Sequence, residues 1–287
     1  MRECAMHTIM LPVRGDGKGR NVLAHATVLA KRFGAHVRIV HCHPTPDDMM
    51  PYGVVMPSVL RKQIEEAAGR NADVTRTRLT TEFRKLAEEF GLKDADPQPG
   101  TTTARFIEFE GKQVDAVRHY GRVADLICVP QPEGASLGAN TLKSALFASG
   151  RPVMMCPDTD PAHDRLGTHV AIAWNGSIEA SRAVGLAMPI IAHAESVTII
   201  SSGSIDHPAS SEELRHYLES KGIPSAIRRF EARGSVVGHQ LLSESRSAEA
   251  DMLVMGAYHE SYERESIFGG NSQVVVAKAD LPVVLVH

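Results

Sequence analysis

The stretch Asp251-Met-Leu-Val-Met-Gly-Ala-Tyr-His259, a polar run, Phe268-Gly-Gly-Asn-Ser272, a short apolar segment and Leu281-Pro-Val-Val-Leu-Val-His287 decides how the chain is read. Met252 to Met255 is apolar without alternation, as in a strand covered on both faces. Gly256 ends the run. Gly269 and Gly270 open a helix predicted to reach about Asp280, and Leu281 to Val286 reads as a second buried strand. Pro282 sits at its start, where a residue without a backbone N–H is tolerated. This is strand, glycine-bounded loop, helix, strand. In an open parallel sheet, ligands sit outside the carboxyl ends of the strands. There, glycines let backbone N–H groups approach an anion, and a helix N-terminus adds partial positive charge. The spacing suits a phosphate cradle; it equally suits a βαβ turn that needs glycine for its geometry.

Working outward, the same plan occurs twice. His7-Thr-Ile-Met-Leu-Pro-Val13, a Gly-rich turn and a helix through Val22, Leu23, Ala26, Leu29 and Ala30 match His169-Val-Ala-Ile-Ala-Trp174, Asn175-Gly-Ser177 and a helix through Ala180, Ala183, Val184 and Ala187. Strands follow at Ala35 to Cys42 and at Ser196 to Ser201. Ala124-Asp-Leu-Ile-Cys-Val-Pro130 matches Ala250-Asp-Met-Leu-Val-Met-Gly256, and Arg151-Pro-Val-Met-Met-Cys156 matches the closing strand. A long helix is predicted from Ser58 to Phe90, stopped by Gly91. Its counterpart runs from Ser211 to Lys221, stopped by Gly222, with a capping box at Ser210-Ser-Glu-Glu213. The third strand is hard to place between Pro97 and Phe109; Ser225 to Phe230 is its equivalent, and Arg228 and Arg229 mark that strand as an exposed edge. Alternating strands and helices predict parallel pairing with right-handed crossovers. The polar, Pro-containing link from Pro157 to Gly167 divides the chain into domains at 1–158 and 167–287.

The 287 residues suffice for two ordinary domains, and 43% hydrophobic and 23% charged residues are globular values. A formal net charge of −3 gives no global field for nucleic acid or anionic lipid. No apolar run has the length of a membrane span, and Met1 to Met10 lacks the order of a secretory signal. Four cysteines without a Cys-x-x-Cys pair suggest reduced, buried thiols in a cytoplasmic protein.

The repeat and the turn residues resemble the universal stress protein family in its tandem two-domain bacterial form. The resemblance implies an α/β fold of two flavodoxin-like (Rossmann-like, adenine nucleotide alpha hydrolase-like) domains. Each would have a five-stranded parallel sheet of order 3-2-1-4-5, and the closing strands Val153 to Cys156 and Val283 to Val286 would pair antiparallel. It implies a stress-response protein binding ATP or ADP, with or without Mg²⁺, with an unknown protein partner and room for a homodimer. Any ATP hydrolysis would be slow, with no catalytic residue assigned. The family's G-x-x-G-x9-G-S/T signature falls on Gly256, His259, Gly269 and Gly270, so His replaces the second Gly and Gly replaces Ser/Thr; Ser272 stands two residues on. Its Asp-Gly-Ser turn appears as Asn175-Gly176-Ser177. By resemblance the nucleotide site is Trp174, Asn175, Gly256, His259, Gly269, Gly270, Asn271 and Ser272, with backbone N–H groups of Gly269 to Ser272 on the phosphates and Asn175 near the ribose. Trp174 could stack on adenine or simply pack.

The first repeat departs further. Pro130 replaces the first signature Gly and offers no N–H. Glu133 would repel phosphate, and Arg14-Gly-Asp-Gly-Lys-Gly-Arg20 lacks P-loop spacing. That repeat reads as a degenerate copy kept for pairing. The alternative for the whole protein is a dimerisation scaffold of the same family that binds no nucleotide; a nucleotide-using enzyme ranks last because no Ser-Gly-Gly-x-Asp-Ser loop is present. His41-Cys42-His43 places two imidazoles on one strand face, one ligand short of a minimal zinc site. Met49, Met50 and Met56 lie in a Pro-rich loop, suited to a lid or an apolar contact. Glu260, Glu263, Arg264 and Glu265 form a charged loop in which Arg264 could reach a phosphate.

Overall fold

A computed structural model of the chain describes residues 6–43, 45, 57–133, 139–160, 165–203, 209–231, 237–257 and 270–287, with the side chains of 60, 61 and 63–74 outside the description. In the first repeat, β1 (Thr8–Val13), α1 (Gly19–Phe33), β2 (His36–His43), α2 (Ser58–Glu89), β3 (Lys93–Asp94), β4 (Thr103–Glu110) and α3 (Gln113–Tyr120) follow one another. A 3₁₀ turn at Gly121–Val123, β5 (Leu126–Pro130), α4 (Ala139–Ser149) and β6 (Val153–Cys156) complete it. The second repeat holds β7 (His169–Ala173), α5 (Ile178–Leu186), α6 (Met188–Ile191), β8 (Ser196–Ser202), α7 (Ser211–Glu219), β9 (Ala226–Phe230), α8 (Val237–Ser247), β10 (Met252–Gly256), α9 (Gly270–Lys278) and β11 (Val283–Val286).

These strands form one sheet of 11, in the order β3-β4-β2-β1-β5-β6-β11-β10-β7-β8-β9. The two five-stranded sheets expected are joined through the expected antiparallel pairing of the closing strands, and β3 adds an eleventh strand at one edge. All strand pairs are parallel except β6 with β11, which run antiparallel with Val284 opposite Met154. The reason for the join lies in the closing strands. Val153, Met155, Val283 and Leu285 point into one helix layer, Met154, Cys156, Val284 and Val286 into the other, and all are buried. A strand apolar on both faces requires cover on both, and pairing the two copies edge to edge also satisfies the backbone that each would otherwise expose.

Helices cover both faces. Leu23 of α1, Phe83 of α2, Val184 of α5 and Leu214 of α7 belong to one core; Val117 of α3, Leu142 of α4, Leu241 of α8 and Val275 of α9 belong to the other. Local chemistry sets the ends. The capping box of α7 is present, Ser210 Oγ accepting from Glu213 N and Glu213 accepting from Ser210 N. Gly91 (φ 67°) and Gly222 (φ 76°) turn the chain after α2 and α7 through the left-handed region. The Ala-Asp pair preceding β5 and β10 has one job in both repeats. Asp125 accepts from the N–H groups of His7 and Thr8 at 2.8 and 2.9 Å, and Asp251 from those of Gly167, Thr168 and His169 at 2.6–3.1 Å. Each carboxylate thus clasps the entry to the first strand of its repeat.

The repeats touch beyond the sheet. The Gln131 side chain donates to the carbonyls of Val276 and Ala279 at the C-terminus of α9, at 2.8 and 3.1 Å, satisfying acceptors that a helix end leaves open. Arg32 of α1 donates to the carbonyls of Leu166 and His193. At the far edge, β9 is terminal as its arginines implied, and Arg228 and Arg229 pair with Glu244 and Glu212. Among the described residues no helix is long and apolar enough to cross a membrane.

Candidate functional site

The carboxyl edge of β7 and β10 brings the second repeat's turns together. Met255 lies opposite Ala173, so the chain leaves both strands at one level. Directly after β7, Trp174 is 8% exposed, and its indole Nε1 donates to the Ala209 carbonyl at 3.0 Å. The ring packs in the core that holds Ala180 and Val184. Of its two readings, stacking on a base or packing, the structure favours packing: the indole's donor is already matched and little of the side chain faces outward. Asn175 is exposed, and its Oδ1 accepts from Ser177 N at 3.2 Å, closing an Asx turn. Ser177 then caps α5, its Oγ accepting from Ala180 N at 3.2 Å. Asn175 keeps its amide donors for a hydroxyl oxygen, while its acceptor is partly engaged.

Gly256 is the last residue of β10. A Cβ there would lie 2.5 Å from the backbone nitrogen of Ala180 and 2.6 Å from the carbonyl carbon of Glu179. The glycine is thus needed for the first turn of α5 to lie flush on the strand end. That close approach carries no local sequence signal, because Glu179 and Gly256 are far apart in the chain. Gly270 begins α9, and among the described residues outside the helix no atom lies within 4 Å of where a Cβ would stand. Gly270 and Asn271 are exposed and Ser272 half-buried. The first turn of α9 contains no acidic residue, so nothing in it opposes an anion at that end. Its other side is tied down, Gly238 of α8 packing against the Asn271 carbonyl and Val274. His259 and Gly269, with Glu260, Glu263, Arg264 and Glu265, lie outside the described residues, as do Met49, Met50 and Met56.

The first repeat has the same positions with different contents. Pro130 ends β5 opposite Cys156 as Gly256 ends β10 opposite Val286. Lys18, at the head of α1, binds Glu133 Oε1 at 2.7 Å and the Gln131 carbonyl at 3.3 Å. Arg14 donates to Thr141 Oγ1, which donates to Gln113 Oε1. Thr141 is fully buried in the first turn of α4. The basic turn is thereby occupied by the repeat's own acceptors.

At the end of β2, His41 and His43 share one carboxylate, Glu108 Oε2, at 3.1 and 3.8 Å. Among the described residues no group of three or more His, Cys, Asp or Glu is arranged to hold a metal. Cys42 is pushed up to about 12, by burial first and by Glu108 second, and burial next to Cys156 raises Cys128 well above the usual thiol range. Thiols so raised stay protonated and unreactive near neutrality.

Fold and carboxyl-edge turns define the class: an α/β protein of tandem repeats resembling the universal stress proteins. Residues 191–287, within the second repeat, match the model of the Universal stress protein family. The fold is similar to that of a universal stress protein from Archaeoglobus fulgidus DSM 4304, 17% identical, over 98% of this chain and 96% of that one, with a TM-score of 0.73. It is also similar to a functionally unknown protein from Pseudomonas aeruginosa PAO1, 14% identical, over 98% and 92% of the two chains, with a TM-score of 0.55. No curated protein matches the sequence.

Proposed function

We propose that the chain is a nucleotide-responsive regulatory protein of the universal stress type that binds ATP or ADP at the carboxyl edge of its second repeat. In this reading residues 1–158 and 167–287 are two domains, each of order 3-2-1-4-5 once the edge strand β3 is set aside. The observation that carries the site is the open, exposed start of α9. Among the described residues outside α9 nothing stands near the Cβ position of Gly270, and no acidic residue stands in the first turn; a helix start of this kind offers N–H groups to an anion. Gly269, Gly270, Asn271 and Ser272 would hold the phosphates and Asn175 the ribose, while Gly256 keeps the α5 turn close enough for both to meet one ligand. His259 would stand beside the phosphates. Trp174 supports the wall from within. Mg²⁺, if it accompanies the nucleotide, would supply charge neutralisation at the phosphates. The role is binding in the cytoplasm, read out by a protein partner, and not turnover.

The test is mass spectrometry of material released from protein purified without added nucleotide, with ATP–Mg²⁺ titration calorimetry of wild type and Gly270→Asp. The added side chain meets no atom of the described residues outside α9, so the variant should fold as wild type while binding falls by at least about tenfold, because a carboxylate now opposes the phosphates. Absence of nucleotide together with no heat at millimolar ATP–Mg²⁺ would replace this reading with that of an interaction scaffold.

A further inference from the structure

The described residues form an open cavity at the opposite, amino-terminal edge of the first repeat. It measures about 350 Å³ and is lined by His36 and Arg38 of β2, Arg105 of β4, His119 and Tyr120 of α3, and Val123. That volume falls within the range of small-molecule sites. In register, His36 lies opposite Thr103 and Arg38 opposite Arg105. Alternation along both strands puts all four on the face toward α3. Two guanidinium groups are therefore neighbours across adjacent strands, an arrangement that costs stability when left uncompensated.

The compensation is lopsided. Arg105 reaches outward to Asp94 and Asp96, at 3.4 and 2.8 Å. Arg38 is half-buried and makes no hydrogen bond or ion pair among the described residues. Asp96 lines the same cavity but is largely exposed and bound to Arg105, so solvent screens it. His36 is buried, its Nδ1 2.7 Å from Thr103 Oγ1. Burial first, then Arg38 and Arg105, lowers it to about 4, with Asp96 opposing, so the imidazole is neutral near pH 7. The opposite wall is less polar. Tyr120 packs edge-on to His119 with centroids 4.5 Å apart, and Val123 is 62% exposed at the rim.

We propose that this cavity binds a small organic anion, its phosphate or carboxylate head on Arg38 and its flat apolar body against Tyr120 and Val123. A charged, half-buried donor fork without an acceptor is matched by a planar oxyanion, and the apolar rim adds affinity that inorganic phosphate cannot use. The site belongs to the first repeat and is independent of any nucleotide at the other edge.

The test uses the full chain and two probes, phenyl phosphate and benzoate, with inorganic phosphate as the head-only control, followed by calorimetry and amide chemical-shift mapping. Binding should perturb residues around 36–38, 105 and 119–123, one probe showing whether a phosphate or a carboxylate head is preferred, and inorganic phosphate should bind more weakly. Arg38→Gln removes a side chain without a protein partner, so the fold should persist while affinity drops by at least about tenfold, the loss expected for a charge-assisted contact. Arg38→Lys should recover part of it, and Gly270→Asp should change nothing. The bound anion should also raise the His36 titration midpoint from about 4. No binding at millimolar probe, equal binding by Arg38→Gln, or shifts confined to residues 175–177 and 270–272 would overturn the proposal.

Discussion

The two carboxyl edges of this protein share a strand plan and differ in what fills them. In the first repeat Lys18 is held by Glu133 and the Gln131 carbonyl, and Arg14 by Thr141. In the second, Asn175 and Gly270 are exposed, and among the described residues outside α9 Gly270 has no neighbour within 4 Å of a would-be Cβ. Basic residues at a turn therefore do not mark the more available anion site here. The repeat richer in positive charge meets it with internal acceptors, whereas in the second the described start of α9 presents small, exposed residues. What already engages the turn, more than its formal charge, separates the copies among the described residues.

The sharpest way to break that contrast is Gly256→Ala. Its Cβ would meet backbone atoms of Glu179 and Ala180 at 2.5–2.6 Å, and backbone cannot rotate aside as a long side chain can. Overpacking of this kind costs about 1–3 kcal/mol, to be read as a lower urea midpoint with unchanged slope. An unaltered midpoint would mean that the α5 turn is not seated on β10 as described.

Acid should distinguish the repeats next. His36 begins β2, and Ser196 begins β8 in the equivalent place. The His36 imidazole is lowered to about 4 from an ordinary 6.5 by burial first, then by Arg38 and Arg105. The unfolded chain therefore takes up this proton before the folded one does, and stability falls as pH drops from about 6.5 to about 4. The first repeat carries this liability at a position where the second has serine. Melting temperatures of wild type and His36→Asn across that window should converge toward acid, the variant showing the shallower slope; parallel curves would refute the assignment.

The smallest effect on stability is expected from Glu133→Gln. The carboxylate is 64% exposed, and ion pairs of that kind contribute less than about 1 kcal/mol. Its consequence should lie in binding: with Lys18 released, the first repeat should gain weak affinity for inorganic phosphate, visible in an Arg38→Gln background as ³¹P line broadening beyond that of Arg38→Gln alone. Without that gain, the difference between the edges lies in backbone geometry and not in the blocking carboxylate.

Much of the architecture could be read from residue order. Continuous apolar runs placed β5, β6, β10 and β11 because strands buried on both faces leave no alternation to misread. The α7 cap was legible in Ser210 and Glu213, and the paired Ala-Asp sequences announced a repeated role, though not that each aspartate clasps an N-terminus. The two-residue β3 was invisible, since Lys93 and Asp94 are exposed charged residues with no apolar alternation to mark a strand. The join of the two sheets was legible in the closing strands, each apolar on both faces and last in its repeat. Trp174 could not be assigned to a ligand or to the core without its partner, the Ala209 carbonyl. The amino-edge cavity escaped because His36, Arg38, Arg105 and His119 come from three elements, and only register brings them together.

The antiparallel seam between β6 and β11 has a further consequence. Severed from its sibling, either half would present an apolar strand with unmet backbone partners to any other chain. Covalent tethering through residues 157–168 makes the right edge available at high effective concentration, so self-pairing outcompetes capture by strangers. The tandem form is in this sense a safeguard against promiscuous polymerisation.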